Sequence, residues 1–351
     1  MHEKPLKSKS TEQTNESELE KMDSIEAVQS VLDEIDEKTL TDIYSEYLEK
    51  ADCPERISNH IPTKHIRVEF NPEKYVHGAY NSERHAITIN AGSLFKESSL
   101  CLLDVAKERG LINSHEKPST ASQEEFFKMC VLDTRIHEGA HALTLSSCIN
   151  TEILDGVPTE VRHDRVGLSL ASTYANPETG VKMFRLLGNE MNEGITEILA
   201  GRILNDYIER SGKLSRQEAR LFYQVPENER SSYSKYIFSA RIYFLFISAL
   251  SNVPEDIVEL GILRAYLRGE EFFTEEVFEA YLELGNSVED GYAFHSMIMG
   301  GDDFTNISKA MHAAIAKLDD ETFDRYSALV EETISKHFEG INPIFEEHVQ
   351  G

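Results

Sequence analysis

The stretch RIHEGAHAL, from Arg135 to Leu143, carries most of the information about fold and chemistry in this chain. It lies among apolar residues that recur every three or four positions, which predicts a helix from about Ser122 to Ser146 with one buried face. The stretch contains the pattern HExxH. On a helix His137 and His141 lie one turn apart on the same face, so both imidazoles can bind one ion.

Glu138 lies next to the face that the two histidines share. A catalytic Zn²⁺ ion is held by neutral imidazole nitrogens and keeps one position open for water, whose pKa it lowers to about 7. Glu138 could then take a proton from this water as it attacks a carbonyl carbon, and later pass the proton to the leaving amine. The pattern therefore predicts one Zn²⁺ per chain, with His137 and His141 as ligands and Glu138 as general base and acid.

HExxH is a short pattern, and two ordinary helix histidines beside a solvated glutamate would also produce it. Two features favour a metal site. The histidines lie at the margin of the apolar stripe and not on its solvent side. Gly139 also stands in the interior of the helix, where glycine costs about 1 kcal/mol relative to alanine. The missing side chain predicts that another element approaches the helix closely at this position.

A catalytic zinc site needs a third protein ligand, and a second predicted helix, from about Glu190 to Arg210, can provide it. The pattern HExxHxxGxxH is excluded, because Thr144 and Ser147 stand where it requires glycine and histidine. Further along, residues 192–197 read NEGITE. This resembles the NExx[ST][DE] signature of the gluzincins, the thermolysin-like clan of zinc metallopeptidases.

By this resemblance Glu193 is the third zinc ligand. Glu197, one turn later, would accept the other N–H of a zinc-bound histidine, and Asn192 would hold the other histidine in the same manner. A carboxylate partner of this kind fixes the tautomer of a metal-bound histidine and raises its basicity. The simpler interpretation is an acidic solvent-facing stripe, and Glu190, Glu197 and His163 remain alternative third ligands.

Strands are predicted only before residue 92. Alternating apolar and polar residues at 66–70 and 85–90 predict two or three short antiparallel strands. In zincins an antiparallel edge strand precedes the HExxH helix and pairs with an extended peptide substrate. The resemblance therefore makes Ala86, Ile87 and Thr88 candidate substrate-binding residues, with a purely structural hairpin as the alternative.

Most of the remaining chain reads as helical, with a long loop predicted at residues 149–180. The predicted fold is mostly helical α+β, with a small antiparallel sheet, the HExxH helix and a C-terminal helical bundle, as in zincins. We expect a disordered tail at 1–15, an acidic helical segment at 16–60, the zincin-like core at 61–210 and a helical subdomain at 211–351. The resemblance covers only the core. Relative to thermolysin the 149–180 segment is an insertion, which could shape or cover the cleft.

The resemblance also implies a tyrosine or a protonated histidine that stabilises the tetrahedral oxyanion beside the metal. Tyr292 and His295 lie close together after a predicted turn and are the preferred candidates. The other candidates of these two types are His163, Tyr174, Tyr233 and Tyr236. Each of them could instead be a packed aromatic residue or a surface histidine.

The composition excludes several other functions. The 351 residues include 35 Lys and Arg against 62 Asp and Glu, a formal net charge of −27. This charge argues against a non-specific nucleic-acid binder and against a polybasic membrane-surface protein.

The sequence also bears on the cellular compartment. Met1–Glu20 is polar and shows no signal peptide. Arg241 interrupts the apolar stretch Tyr236–Leu250, which is too short to span a bilayer and is predicted to be a buried helix. No CxxC pair occurs among the four cysteines, Cys53, Cys101, Cys130 and Cys148. This predicts reduced thiols and a cytoplasmic protein, with leaderless export left open.

These observations predict a zinc-dependent metallopeptidase, a hydrolase that acts on peptide or protein substrates. Two alternatives remain. One is a binding or regulatory protein that keeps the zincin frame, and the other is a zinc hydrolase of non-peptide amides or esters. The sequence predicts neither the identity of the substrate nor the oligomeric state.

Overall fold

The computed structural model describes most of the chain between residues 24 and 339. All structural statements concern the described residues, which are 24–51, 53, 65–71, 76–81, 84–94, 99–108, 120–144, 146–154, 157–167, 169–176, 179–180, 182–187, 189–213, 219, 222–223, 225, 234–251, 254–268 and 320–339. Several predictions fall outside them: the disordered tail at 1–15, and the oxyanion candidates Tyr233, Tyr292 and His295.

The fold is α+β and mostly helical. The described helices are α1 (24–34), α2 (Glu37–Lys50), α3 (Ala91–Ser93), α4 (Ser99–Glu108), α5 (Thr120–Leu143), α6 (Asn189–Ser211), α7 (Ser234–Ser251), α8 (Glu255–Arg268) and α9 (Asp320–Glu339). Helices α5 and α6 confirm the two long helices predicted around the HExxH and NEGITE segments, with bounds that differ by one to three residues.

The first sheet contains β1 (Ile66–Glu69), β2 (Gly78–Asn81) and β3 (Ala86–Asn90), in the order β1-β3-β2. The prediction that these strands are all antiparallel is wrong for one pair, because β1 runs parallel to β3 while β2 runs antiparallel to it. Alternating polarity marks a strand but not its direction. The order also makes β3 the central strand and places β2 at an edge.

A second sheet follows α5, where a long loop was predicted at residues 149–180. It contains β4 (Ser146–Leu154), β5 (Val157–Val166), β6 (Ser169–Ala175) and β7 (Lys182–Leu187) in an antiparallel meander. The loop prediction is therefore wrong. The glycines and prolines of this segment punctuate hairpins: Gly167 and Gly180 have positive φ angles of 57° and 68° beside the strands, and Pro158 is the second residue of β5.

Helices α5 and α6 pack against each other at the centre of the fold. Helices α2 and α7 pack against α6, and strands β2 and β3 lie against α5. Ile136 and Ala140 of α5 join Ile195 and Leu199 of α6 in one continuous core, all four fully buried. Each large aliphatic side chain buried there contributes about 1.5–3 kcal/mol to folding. This packing brings the HExxH and NEGITE segments together.

The close approach predicted at Gly139 is confirmed. A Cβ atom at this position would overlap the hydroxyl group of Tyr44 and lie 3.0 Å from Nη1 of Arg135. Tyr44 belongs to α2, and both Tyr44 and Arg135 are fully buried. Nη1 of Arg135 donates to the Tyr44 hydroxyl oxygen over 3.5 Å, and Nη2 lies 3.3 Å from the carboxylate of Glu37. The bare glycine therefore lets α2 dock on the back of the HExxH helix.

Replacing Gly139 with alanine should destabilise the protein. Alanine gains up to about 1 kcal/mol of helix propensity, but overpacking against Tyr44 costs about 1–3 kcal/mol, so we expect a net loss. The free energy of unfolding, measured with urea, checks this. Gly201→Ala is the matched control, since a Cβ atom at Gly201 of α6 meets no heavy atom within 4 Å. An alanine at position 139 that stabilises the protein as much as the control would contradict the assigned role of Tyr44.

Helix α7 contains the apolar stretch Tyr236–Leu250 and, as predicted, is largely buried, packing against α6 and α9. Over the described ranges, no helix combines the length and the apolarity that crossing a bilayer would require.

Candidate metal centre

Two histidines of α5 and one glutamate of α6 converge on a single point. Nε2 of His137 and Nε2 of His141 are 3.1 Å apart. Oε2 of Glu193 lies 3.2 Å from the His141 nitrogen and 3.4 Å from the His137 nitrogen. The two rings meet edge to face, with centroids 4.8 Å apart. Because His137 and His141 are one helical turn apart, the turn of α5 aims both rings at the same point on α6.

The three donor atoms have the spacing that a tetrahedral metal ion requires. Two ligand atoms bonded at about 2.0–2.1 Å and separated by a tetrahedral angle lie about 3.3–3.4 Å apart. The observed separations are 3.1, 3.2 and 3.4 Å. These separations are close to the tetrahedral values, so the cluster could hold a metal ion.

A metal ion satisfies these three atoms better than protons do. Each Nε2 can carry one hydrogen, and both could donate to Oε2 of Glu193. Both N–H groups would then converge on the same oxygen, with their two nitrogens only 3.1 Å apart. If either nitrogen is unprotonated, its lone pair can accept from the other ring, which then has no hydrogen left for Glu193. A single cation between the three atoms satisfies all of them at once.

The charges around the cluster favour a cation. Burial disfavours a charged imidazole, but the carboxylates of Glu197, Glu193 and Glu138 outweigh it and hold the pKa of His137 well above its usual value. Burial alone would raise the pKa of Glu193, yet hydrogen bonds from His137 and His141 hold it well below its usual range. Three carboxylates beside two imidazoles create a negative potential that a divalent cation would neutralise.

The outer nitrogens of the two histidines contact α6. Nδ1 of His137 lies 3.4 Å from Oε1 of Glu197, the partner that the sequence predicted for a zinc-bound histidine. Oγ1 of Thr196 lies 3.4 Å from Nδ1 of His141. The sequence assigned that position to Asn192, and Thr196 was missed. Asn192 is buried and lines the same pocket, and its predicted contact with a histidine stays a prediction.

Glu138 lines the same pocket as His137, His141 and Glu193. Its side chain is 5% exposed, and burial raises the pKa of its carboxyl group, partly opposed by His137 and His141. The backbone of β2 passes directly over it, since a Cβ atom at Gly78 would lie 2.7 Å from Cγ of Glu138 and 2.8 Å from its Oε1. Only glycine at residue 78 leaves the Glu138 carboxylate in this position.

A pocket of about 280 Å³ opens over the cluster and over Glu138. It is lined by residues of β2, α5, β6 and α6: Gly78, Ala79, Tyr80, His137, Glu138, His141, Ser169, Asn189, Asn192 and Glu193. The sequence does not predict the contributions of β2 and Ser169, because residues 78–81 show no apolar alternation and β6 lies in the predicted loop. Most of the residues that line the pocket therefore have polar side chains.

The edge strand beside the pocket is β2 and not the predicted Ala86–Asn90. Ala86, Ile87 and Thr88 belong to β3, where Ile87 and Thr88 pair with β1 on one side and with β2 on the other. The prediction of an edge strand is therefore wrong for this segment. Ala79 and Tyr80 of β2 pair with Thr88 and Ile87 on one side only within this sheet, and they line the pocket.

Three candidates for oxyanion stabilisation can be placed, whereas Tyr233, Tyr292 and His295 lie outside the described residues. His163 pairs with Ser172 in the second sheet, Tyr174 lies on β6, and Tyr236 lies on α7 with its carbonyl group against Gly194. The tyrosine that lines the pocket among the described residues is Tyr80, whose hydroxyl lies 2.9 Å from Nδ1 of His85. Among the alternatives for the third ligand, Glu193 supplies the converging oxygen.

No protein-family model matches this chain, and no curated protein or solved structure matches it either.

Proposed function

We propose that the protein is a zinc-dependent metallopeptidase of the gluzincin type. The observation that carries the proposal is the convergence of His137, His141 and Glu193 on one point, with the Glu138 carboxylate on the wall of the same pocket. The ligands come from two helices separated by a four-stranded sheet in the chain. The spacing of the three donor atoms suits a tetrahedral metal ion. The fourth coordination position of that ion would face the pocket.

The donor set supports zinc over other metals. Two imidazole nitrogens and one carboxylate oxygen suit Zn²⁺, while Mg²⁺ and Ca²⁺ prefer sites made only of oxygen atoms. Two histidines and one glutamate are also a known set of protein ligands for catalytic zinc, which leaves one position for water or substrate. The residues therefore fit the metal that the gluzincin resemblance implies.

The chain's own residues can carry the proton transfers of peptide hydrolysis. When bound, zinc supplies Lewis acidity, which activates a water molecule and polarises the scissile carbonyl group. Glu138 accepts the proton of the attacking water and passes it to the amine that leaves, so it ends the cycle unprotonated. The Gly78 backbone holds Glu138 at the pocket wall, and the contact with Glu197 orients His137.

The edge of β2 supports a peptide as the substrate. An extended peptide can add to such an edge through main-chain hydrogen bonds, which bind it without reading its sequence. Gly78, Ala79 and Tyr80 line the pocket directly beside Glu138. A peptide paired with β2 would therefore pass its backbone over the candidate metal position.

Metal analysis and a peptide digest test the proposal together. The purified full chain should hold about one zinc ion and should cut peptides from a proteome-derived library, as detected by mass spectrometry. A chelator should abolish the cuts, and added zinc should restore them. Cleavage that persists in the chelator, or a chain that binds no zinc, would overturn the proposal. Bound zinc without any cut peptide would overturn the peptidase assignment and leave the binding protein or the non-peptide hydrolase.

A further inference from the structure

We propose that Thr196 and Tyr266 are positioning residues that hold His141 as the tautomer with its proton on Nδ1, so that Nε2 is free to bind the metal. The inference rests on the proposed function, because it assigns new residues to the same metal site. It starts from the Thr196 hydroxyl, which contacts three groups at once.

The three contacts leave only one arrangement of hydrogens. Oγ1 of Thr196 lies 2.7 Å from the backbone oxygen of Asn192, 2.5 Å from the hydroxyl of Tyr266 and 3.4 Å from Nδ1 of His141. A hydroxyl group has one hydrogen to donate and two lone pairs that accept. The Asn192 carbonyl can only accept, so the Thr196 hydrogen must be directed to it.

Both lone pairs of Thr196 must then accept. Tyr266 donates its phenolic hydrogen to one of them, and Nδ1–H of His141 donates to the other. A neutral imidazole protonated on Nδ1 has its lone pair on Nε2. That is the nitrogen of His141 that faces His137 and Glu193. The hydroxyl network therefore selects the tautomer that a metal ligand needs at this position.

Burial prevents a water molecule from replacing Tyr266 or His141 as a hydrogen-bond donor to Thr196. Thr196 and Tyr266 are both fully buried. Burial also raises the pKa of Tyr266, so it keeps the hydrogen that it donates. A buried hydroxyl without a hydrogen-bond partner would lose its hydration without compensation, which makes the alternative hydrogen arrangements unfavourable.

The tertiary fold holds Tyr266 in place from two sides. Tyr266 comes from α8, and its hydroxyl reaches Thr196 of α6. Its ring also faces Gly167, the first residue after β5, where a Cβ atom would lie 2.8 Å from Cε2 of Tyr266 and 2.5 Å from Oδ1 of Asn192. The positive φ of Gly167, 57°, and its missing side chain together allow this approach. The second sheet thus supports the metal site through Tyr266.

Zinc affinity, measured by competition with a chromophoric chelator, tests the inference. Thr196→Val keeps the shape of the side chain but removes the hydroxyl, and we expect zinc to bind about 10- to 100-fold more weakly. Thr196→Ser should restore the affinity to near the wild-type value. Tyr266→Phe should cause a smaller loss, of about 3- to 10-fold, because Thr196 stays in place. Tyr207→Phe is the matched control, since the Tyr207 hydroxyl of α6 instead accepts from the backbone N–H of Asp36 at 2.8 Å.

Nitrogen NMR of the histidine rings separates positioning from a general structural effect. In the zinc-loaded wild type, His141 should show a proton on Nδ1 and none on Nε2. A proton on Nε2 with zinc on Nδ1 would overturn the inference. So would Thr196→Val and Tyr266→Phe proteins that bind zinc as tightly as the wild type. If the wild-type chain binds no zinc, the proposed function fails together with this inference. If the wild-type chain binds zinc and both variants bind it equally tightly, only this inference fails.

Discussion

Replacing Glu138 with glutamine is expected to reduce the rate of peptide cleavage by about 10²- to 10⁴-fold, the usual contribution of a positioned general base. Glutamine has nearly the same shape as glutamate but cannot take a proton from water. Glu138 is not among the three converging ligand atoms, so the variant should retain zinc. Glutamine also removes a charge that is 95% shielded from solvent, and the folded state should not lose stability.

Three measurements on one preparation check this result: zinc content, thermal unfolding and cleavage of a peptide cut by the wild type. Glu124→Gln is the control, because Glu124 is an exposed glutamate on the same helix α5. It should cleave at the wild-type rate. A Glu138→Gln protein that also cleaves at this rate would rule out Glu138 as the general base. Loss of zinc in that variant would instead place Glu138 among the ligands and contradict the geometry described above.

The second large effect is expected at the third ligand. Replacing Glu193 with alanine removes the only oxygen among the three converging donor atoms and the carboxylate that contacts both histidines. Zinc sites with four ligands bind with about 10–16 kcal/mol, so one ligand contributes about 3 kcal/mol, on the order of 100-fold in affinity. We expect the variant to lose its zinc during dialysis against a weak chelator and to lose cleavage with it.

Glu190→Ala provides the comparison for this prediction. Glu190 precedes Glu193 by one turn of α6, is half-buried, and is an alternative third ligand on sequence grounds. Its substitution should leave the zinc content unchanged, as determined by elemental analysis of the dialysed proteins. If Glu190→Ala loses zinc while Glu193→Ala keeps it, the assignment of the third ligand is wrong.

The candidate site was predictable to the extent that its parts are local. His137, Glu138 and His141 lie within five residues of one helix, and helix periodicity alone places both imidazoles on one face. The same periodicity predicts α5 and α6, and the missing side chain of Gly139 indicates a place where another element can approach the helix closely. Local spacing is encoded in the chain itself, because every turn of an α-helix has the same geometry.

Sequence patterns failed where strands pair over long distances. For the meander β4–β7, the glycines and prolines of the segment predict a loop, whereas the structure shows four strands. Strand β2 was missed, and β3 was given the edge position that β2 holds. A strand pattern shows which residues alternate, but it does not show which neighbour each edge finds.

The sequence by itself therefore determined the two helices, the pair of imidazoles and the acid between them, since a helix repeats with a fixed period. The resemblance of the NEGITE segment to a ligand signature implied Glu193 as the third ligand, but only the packing of α5 against α6 brings this residue, 52 positions from His141, against both rings. The tertiary structure also decided that Tyr266 reaches Thr196 and that β2 covers Glu138. These contacts depend on how separate helices and strands pack around one core, and packing between distant segments leaves no periodic signal in the chain.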